Sequence, residues 1–259
     1  MNKMSSKALS LLFGVLLSAG CSVKEYRESC PCRLVLDFSE TDTLAVRSAD
    51  LYVTVPGGYV FTDHVGSEFF RRGYSVYVPR TWLYVSMVNG DEGMSSAEGL
   101  KIPFGEECPP VYMHSSYIDA DCEMWREIVR MRKNHCRMNI TLKTDGGNMP
   151  DLKAVSDVCG YDVAGKPLNG GFGYEIRPDL SGSCSVTVPR QTGDGMMLEI
   201  DDGGGVVKRF ALGTYIASIG YDWTAPDLQD IDIELDFAMT RISLVVSGWD
   251  KEYEFDVVI

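Results

Sequence analysis

The chain has 259 residues, 37 acidic and 24 basic, for a formal net charge of -13, with 45% hydrophobic and 24% charged residues. That composition belongs to a folded globular protein of one large or two modest domains, and its carboxylate excess repels phosphate backbones and anionic headgroups. Nucleic-acid binding and membrane attachment through a basic patch are therefore excluded as expectations.

Residues 1–20 read as a lipoprotein signal peptide. Lys3 and Lys7 precede the apolar run ALSLLFGVLLSAG, too short to span a bilayer, and small residues lead directly to Cys21. Leu17 stands four residues before that cysteine and Ser18 three. A diacylglycerol on the Cys21 sulfur would replace the removed signal as membrane anchor, so Cys21 is the expected lipidation site and residues 21–29 a lipid-anchored linker. Cleavage leaves 22 basic against 37 acidic residues, a mature charge of -15. No second apolar run approaches bilayer length.

Beyond Cys21 stand Cys30, Cys32, Cys108, Cys122, Cys136, Cys159 and Cys184, an odd number, so they cannot all pair within one monomer. Cys-Pro-Cys at 30–32 lacks the two-residue spacing of a redox or zinc motif. Buried free thiols are the leading reading, with one or two disulfides, or a metal, as alternatives.

Period-two alternation then runs along the chain and predicts half-buried strands at 34–38, 51–55, 76–78, 82–88, 138–142, 231–237 and 253–259. The spacers are turn-formers: PGG at 56–58, DGGN at 145–148, LNGG at 168–171, GDG at 193–195 and DDGGG at 201–205. The glycine clusters 170–173 and 203–205 lack the strand-to-helix setting of a phosphate loop and read as hairpin turns. Segment 121–132 fits a helix through Met124, Ile128 and Met131 and a strand through Val129 and Met131; the pattern leaves both open.

Two segments repeat in the same order. CRLVLDFSETD at 32–42 matches CRMNITLKTD at 136–145, and SVYVPR at 75–80 matches SVTVPR at 185–190, offsets of 104 and 110 residues. Duplication of a β unit explains both and predicts an N-terminal β-sandwich domain over 30–133 and a C-terminal one over 134–259. The CR-led and SVxVPR strands should then sit equivalently in each.

Catalytic constellations are sparse. His64, His114 and His135 show no paired-ligand spacing, and no GxSxG elbow occurs, so neither enzyme activity nor a cofactor or metal is expected. Asp230, Asp232, Glu234 and Asp236 alternate with Ile231, Ile233, Leu235 and Phe237, which puts four carboxylates on one strand face. A solvated face is the leading reading, with calcium or a basic partner as the alternative. Trp82, Trp125, Trp223 and Trp249 are read as core packing ahead of a sugar-stacking platform.

Cys21, the short polar spacer after it, the cysteine-led strand CPCRLVLDF, the repeated β units and the ending DLQDIDIELDFAMTRISLVVSGW together resemble the fimbrillin-associated anchor family, the FimB-type minor fimbrial lipoproteins of Bacteroidetes. The resemblance covers nearly the whole mature chain. It implies two tandem transthyretin-like antiparallel sandwiches, a lipid-anchored protein exposed on the outer membrane, and partnership with other fimbrial subunits through strand addition. In that family, stalk subunits lose their first strand to an arginine-directed protease. Here a cut after Arg47 would part Cys21 from most of the fold, so the resemblance leaves anchor, stalk and tip roles open. A lipid-anchored glycan binder is the alternative outside the fimbrial roles. The terminal EYEFDVVI, with Tyr253, Phe255, Val257 and Ile259 alternating, reads as the last strand of its own sandwich ahead of a donated strand.

Overall fold

Alternating apolar residues become strands throughout the computed structural model, which describes residues 30–55, 57–90, 93–144, 149–201, 207–236 and 241–256. In chain order the strands are β1 (Cys32–Asp37), β2 (Ser48–Thr54), β3 (Val60–Gly66), β4 (Tyr74–Val78), β5 (Trp82–Asn89), β6 (Ser95–Ser96), β7 (Gly99–Lys101), β8 (Tyr112–Asp119), β9 (Met124–Ile128) and β10 (Arg132–Lys133). Then follow β11 (His135–Lys143), β12 (Asp151–Asp162), β13 (Pro167–Ile176), β14 (Ser183–Pro189), β15 (Met197–Asp201), β16 (Val207–Phe210), β17 (Ile231–Asp236), β18 (Arg241–Val246) and β19 (Glu252–Asp256). Two short helices, α1 (Ser67–Arg72) and α2 (Leu212–Ser218), complete the described elements.

Among the described residues four sheets form two pairs. The first pair has strand orders β4-β1-β9 and β10-β8-β5-β2-β3. Leu34 and Leu36 of one sheet share a buried cluster with Leu51, Val53, Leu83, Val85 and Met87 of the other. The second pair has orders β14-β11-β17-β18-β19 and β16-β15-β12-β7-β6, with β13 on the remaining side of β12. Met138, Ile140, Ile231 and Ile233 pack there against Leu152, Phe172, Leu198 and Ile200. The alternation is clearest in β11, where Cys136, Met138, Ile140 and Leu142 are buried and Arg137, Asn139, Thr141 and Lys143 point outward. Burying such a side chain contributes roughly 1.5–3 kcal/mol, so the periodicity fixes which face of each strand turns inward.

The repeated segments occupy the same place in each sheet pair. β1 runs antiparallel to β4 with Cys32 opposite Val78, and β11 runs antiparallel to β14 with Cys136 opposite Val188. Each also pairs in parallel on its other side, β1 with β9 and β11 with β17. Even a side-chain contact repeats: Arg33 donates to Ser75 Oγ at 3.5 Å, and Arg137 to Ser185 Oγ at 3.2 Å.

Residues 31–259 cluster as one unit, and a short hairpin carries first-half residues into the second-half sheet. β6 pairs with β7, and β7 pairs with β12, Leu100 opposite Tyr161. Two glycines permit the approach. Gly99 and Gly160 have φ of 126° and 147°, and a Cβ on either would stand 2.1 Å from the facing carbonyl oxygen.

Long-range pairing settles one reading that the sequence leaves open and overturns another. Segment 121–132 is extended, as β9 and β10, because β9 closes the open side of β1. The glycine cluster 170–173 lies within β13, not in a turn. A Cβ at Gly170 would meet Cys159 Sγ at 2.5 Å, and one at Gly173 would meet the Phe104 ring at 2.7 Å, so these glycines make room for neighbours. The cluster 203–205 lies outside the described residues.

Candidate assembly surface and aromatic face

β1 is the middle strand of its sheet, and its inward side chains Cys32, Leu34 and Leu36 are fully buried. Withdrawing β1 would therefore open a groove between β4 and β9 with two unpaired edges. Ion pairs fasten its far end. Arg126 grips Asp37 through Nε at 3.0 Å and Nη2 at 2.7 Å, and Arg130 holds Glu40 at 2.6 Å. The Ser39 backbone N–H, then the Arg126 guanidinium, hold the Asp37 carboxyl below its usual range. Beyond β1 the chain crosses the surface in turns over 39–47, where Leu44 and Arg47 are exposed and Thr41 anchors inward by donating to Val129 O at 2.9 Å. Cys21, the expected lipidation site, lies outside the described residues.

β19 forms the outer edge of the second mixed sheet, antiparallel to β18, with Phe255 opposite Ile242. Tyr253 and Phe255 are half-buried against the core, and Phe255 meets the Tyr215 ring edge at 5.2 Å. Residues 252–256 are thus a strand of their own sheet; 257–259 lie outside the described residues.

The acidic strand β17 has the solvated face that its alternation suggests. Asp230 pairs with Lys133 at 2.6 Å and accepts from the Arg137 backbone N–H, Asp232 accepts from Asn139 at 2.7 Å, and Glu234 pairs with Lys143. Neighbouring strands supply the polar partners. No group of three or more His, Cys, Asp or Glu suited to holding a metal occurs among the described residues.

The tryptophans divide. Trp223 is buried beside Tyr221, while Trp125 and Trp249 are half-buried. Trp82 departs from the core-packing expectation, being 50% exposed. It stacks on Tyr117, which is 53% exposed, with ring centroids 5.1 Å apart, and Tyr84 adjoins Tyr117 at 4.6 Å. Leu83 and Val85 fill the core side of β5, so Trp82 and Tyr84 point the other way. At the other end of this face Ser115 donates to Val163 O at 2.7 Å, which brings the β12–β13 turn over it and leaves the aromatic end open.

Among the described residues the three histidines meet carboxylates and backbone groups. His64 Nδ1 lies 2.9 Å from Asp50 Oδ1, but the nearby Ser95 hydroxyl donates to Asp50 Oδ2 at 3.0 Å and makes no bond to the imidazole. His114 is buried, accepts from the Arg130 N–H through Nδ1 and presents Nε2 3.2 Å from Glu127. Burial works to raise the Glu127 carboxyl, but hydrogen bonding from His114 and Trp125 outweighs it and holds the group below its usual range. His135 is buried with Nδ1 3.1 Å from Val111 O, and desolvation lowers its pKa. The seven described cysteines are free thiols, and Cys32 Sγ stands 3.8 Å from Cys122 Sγ. That proximity, across 90 residues, had no cue in the sequence.

No known family's profile matches the chain, and no curated protein matches it. Solved structures share its fold. A Bacteroides thetaiotaomicron protein of the DUF1812 group, proposed to bind polysaccharide, superposes with a TM-score of 0.64 at 14% identity, covering 86% of this chain and 98% of that one. The fimbrial anchor protein Mfa2 of Porphyromonas gingivalis gives 0.60 at 13% identity, over 85% and 98%. A proposed adhesin of B. thetaiotaomicron gives 0.54 at 15% identity, over 88% and 99%. This chain is therefore similar in fold, over most of its length and nearly all of theirs, to a proposed polysaccharide-binding protein, a fimbrial anchor and a proposed adhesin.

Proposed function

We propose that the protein is a lipid-anchored subunit of a cell-surface fimbria, held in the outer membrane through Cys21 and joined to a neighbouring subunit by strand addition. The observation that carries this reading is the fold likeness to the fimbrial anchor Mfa2 across 85% of this chain and 98% of that one. The two sheet pairs are read as tandem transthyretin-like domains, 30–133 and 134–259, with residues 95–101 crossing to the second sheet.

Sheet physics supplies the mechanism. An edge strand offers unpaired N–H and C=O groups that an incoming strand can satisfy, so subunits link through backbone hydrogen bonds while side-chain alternation sets the register. The lipid at Cys21 would reach the fold only through the chain entering β1, eleven residues on. An anchor must then keep β1, and it assembles by catalysing nothing. Membrane fractionation tests the attachment: Cys21→Ala should leave the membranes for the soluble fraction, since a protein stripped of its acyl chains loses its hydrophobic hold. Unchanged sedimentation with membranes would overturn the lipid anchor.

A second reading rests on the open aromatic face. Trp82, Tyr84 and Tyr117 present ring faces of the kind that stack on sugar C–H surfaces. A sugar-array screen of the folded protein should show binding lost in Trp82→Ala with unchanged melting. No binding to any sugar would dismiss this reading.

A further inference from the structure

We propose that Cys32 and Cys122 join in a disulfide after export, tying β1 to the segment that enters β9. Their sulfurs already touch at 3.8 Å, and a bond requires closing to about 2.05 Å by side-chain rotation. The backbone is placed for it. Arg33 N donates to Glu123 O at 2.9 Å, and Arg33 pairs with Met124. Continuing that register sets Cys122 one strand across and one residue along from Cys32, a Cα offset of roughly 5.8 Å that lies in the common disulfide range. Other thiols face elsewhere: Cys108, Cys136 and Cys184 point to the carbonyl oxygens of Pro109, Arg137 and Ile140.

The chemistry is thiol–disulfide exchange with an exported dithiol–disulfide oxidoreductase as oxidant. Cys122 is half-buried and reachable, whereas Cys32 is fully buried. The Cys122 thiolate attacks the carrier disulfide and displaces one carrier thiolate. The Cys32 sulfur, yielding its proton to the displaced carrier thiolate, then attacks Cys122 Sγ and releases the second carrier thiolate. Two thiols are oxidised and one carrier disulfide is reduced to a dithiol. Burial, followed by the neighbouring Cys122, raises the Cys32 pKa, against the opposing pull of the Trp125 backbone hydrogen bond and then of the Arg80 guanidinium, so Cys122 and not Cys32 is the thiol that attacks first.

The bond bears on the proposed anchor. The surface turns 39–47 are the part of the chain between β1 and β2 most open to proteases, with Arg47 exposed. A cut there would leave β1 held by pairing alone. With the disulfide, the N-terminal piece that would carry the lipid stays covalently joined to the fold. This consequence rests on the lipid-anchor reading, while the bond itself does not.

The full chain, secreted through an oxidising compartment, is alkylated without reduction and digested for peptide mapping. The expected result is one linked pair containing Cys32 and Cys122, and a melting temperature roughly 5–15 °C above that of the reduced protein. After limited trypsin cleavage at 39–47, the N-terminal piece should separate on a denaturing gel only when reductant is present. In Cys122→Ser it should separate without reductant. Alkylation of both Cys32 and Cys122 in the exported protein, or a map linking Cys122 to Cys30, would overturn the proposal. Absence of lipid on Cys21 with the Cys32–Cys122 link intact would instead count against the anchor reading alone.

Discussion

Tyr161 offers a sensitive test of what fastens the start of the second half. It lies on β12, is fully buried, and its hydroxyl donates to the Asn134 carbonyl while accepting from the Arg190 N–H at 2.7 Å. Asn134 sits at the junction of the repeats, and Arg190 ends the second SVxVPR strand and reaches Asn134 Oδ1, Ala225 O and Trp223 O. Tyr161→Phe keeps the ring and opens no cavity, so only hydrogen bonding is lost. Orphaning a buried donor and a buried acceptor would cost about 1–3 kcal/mol each. The two freed groups face one another, however, since Arg190 N already lies 3.2 Å from Asn134 O, so one weak bond survives. The expected loss is then about 1–2 kcal/mol, against roughly 3–5 kcal/mol for Tyr161→Ala, which also empties a packed site. Urea unfolding followed by tryptophan fluorescence should resolve the two variants, with the effect in the transition of the second-half cluster. Equal losses for Phe and Ala, or no loss for Phe, would refute the claim that this hydroxyl fastens the start of the second half.

Three further outcomes follow from the same structure. Because the Glu127 carboxyl titrates below its ordinary value when folded, its stabilising contribution is complete above about pH 4.5 and disappears as the pH falls through the folded value. The stability gap between wild type and Glu127→Gln should therefore shrink between pH 5 and pH 3 in denaturant titrations, and a constant gap would contradict the reasoning. Gly160→Ala places a Cβ 2.1 Å from Leu100 O and should detach β7 from β12, costing more than about 3 kcal/mol by chemical denaturation, whereas Gly57→Ala, with open space around its Cβ, should cost only about 1–2 kcal/mol from its positive φ. Deleting 252–259 strips two half-buried aromatic rings, about 2–3 kcal/mol, and bares the β18 edge, so the purified protein should aggregate on gentle heating; a truncated chain that melts like wild type would refute the role of β19.

Strand-forming segments were legible wherever one face is buried and the other is wet. In β11 and β17 the two-residue period alone identifies Met138, Ile140, Ile231 and Ile233 as core, and the echo of CR and SVxVPR predicts the shared register of β1–β4 and β11–β14. Long-range demands were not legible. Glycine signals a turn locally, so the run at 170–173 conceals a strand whose missing side chains make room for Cys159 and Phe104. β6 and β7 are too short to carry a period, and their crossing to β12 depends on two glycines 61 residues apart in sequence. Trp82 follows the alternation of β5, but which sheet face remains open is decided by the distant β12–β13 turn. The Cys32–Cys122 contact likewise exists only once β9 lies beside β1.

The proposed role is to fasten a fimbria to the cell. Deleting the gene in the native bacterium and comparing fimbriae on washed cells with those in the medium tests it most directly. Fimbriae should be shed into the medium and depleted from cells, with attachment restored by the wild-type gene and not by Cys21→Ala. Fimbriae attached in normal number to cells lacking the protein would contradict it.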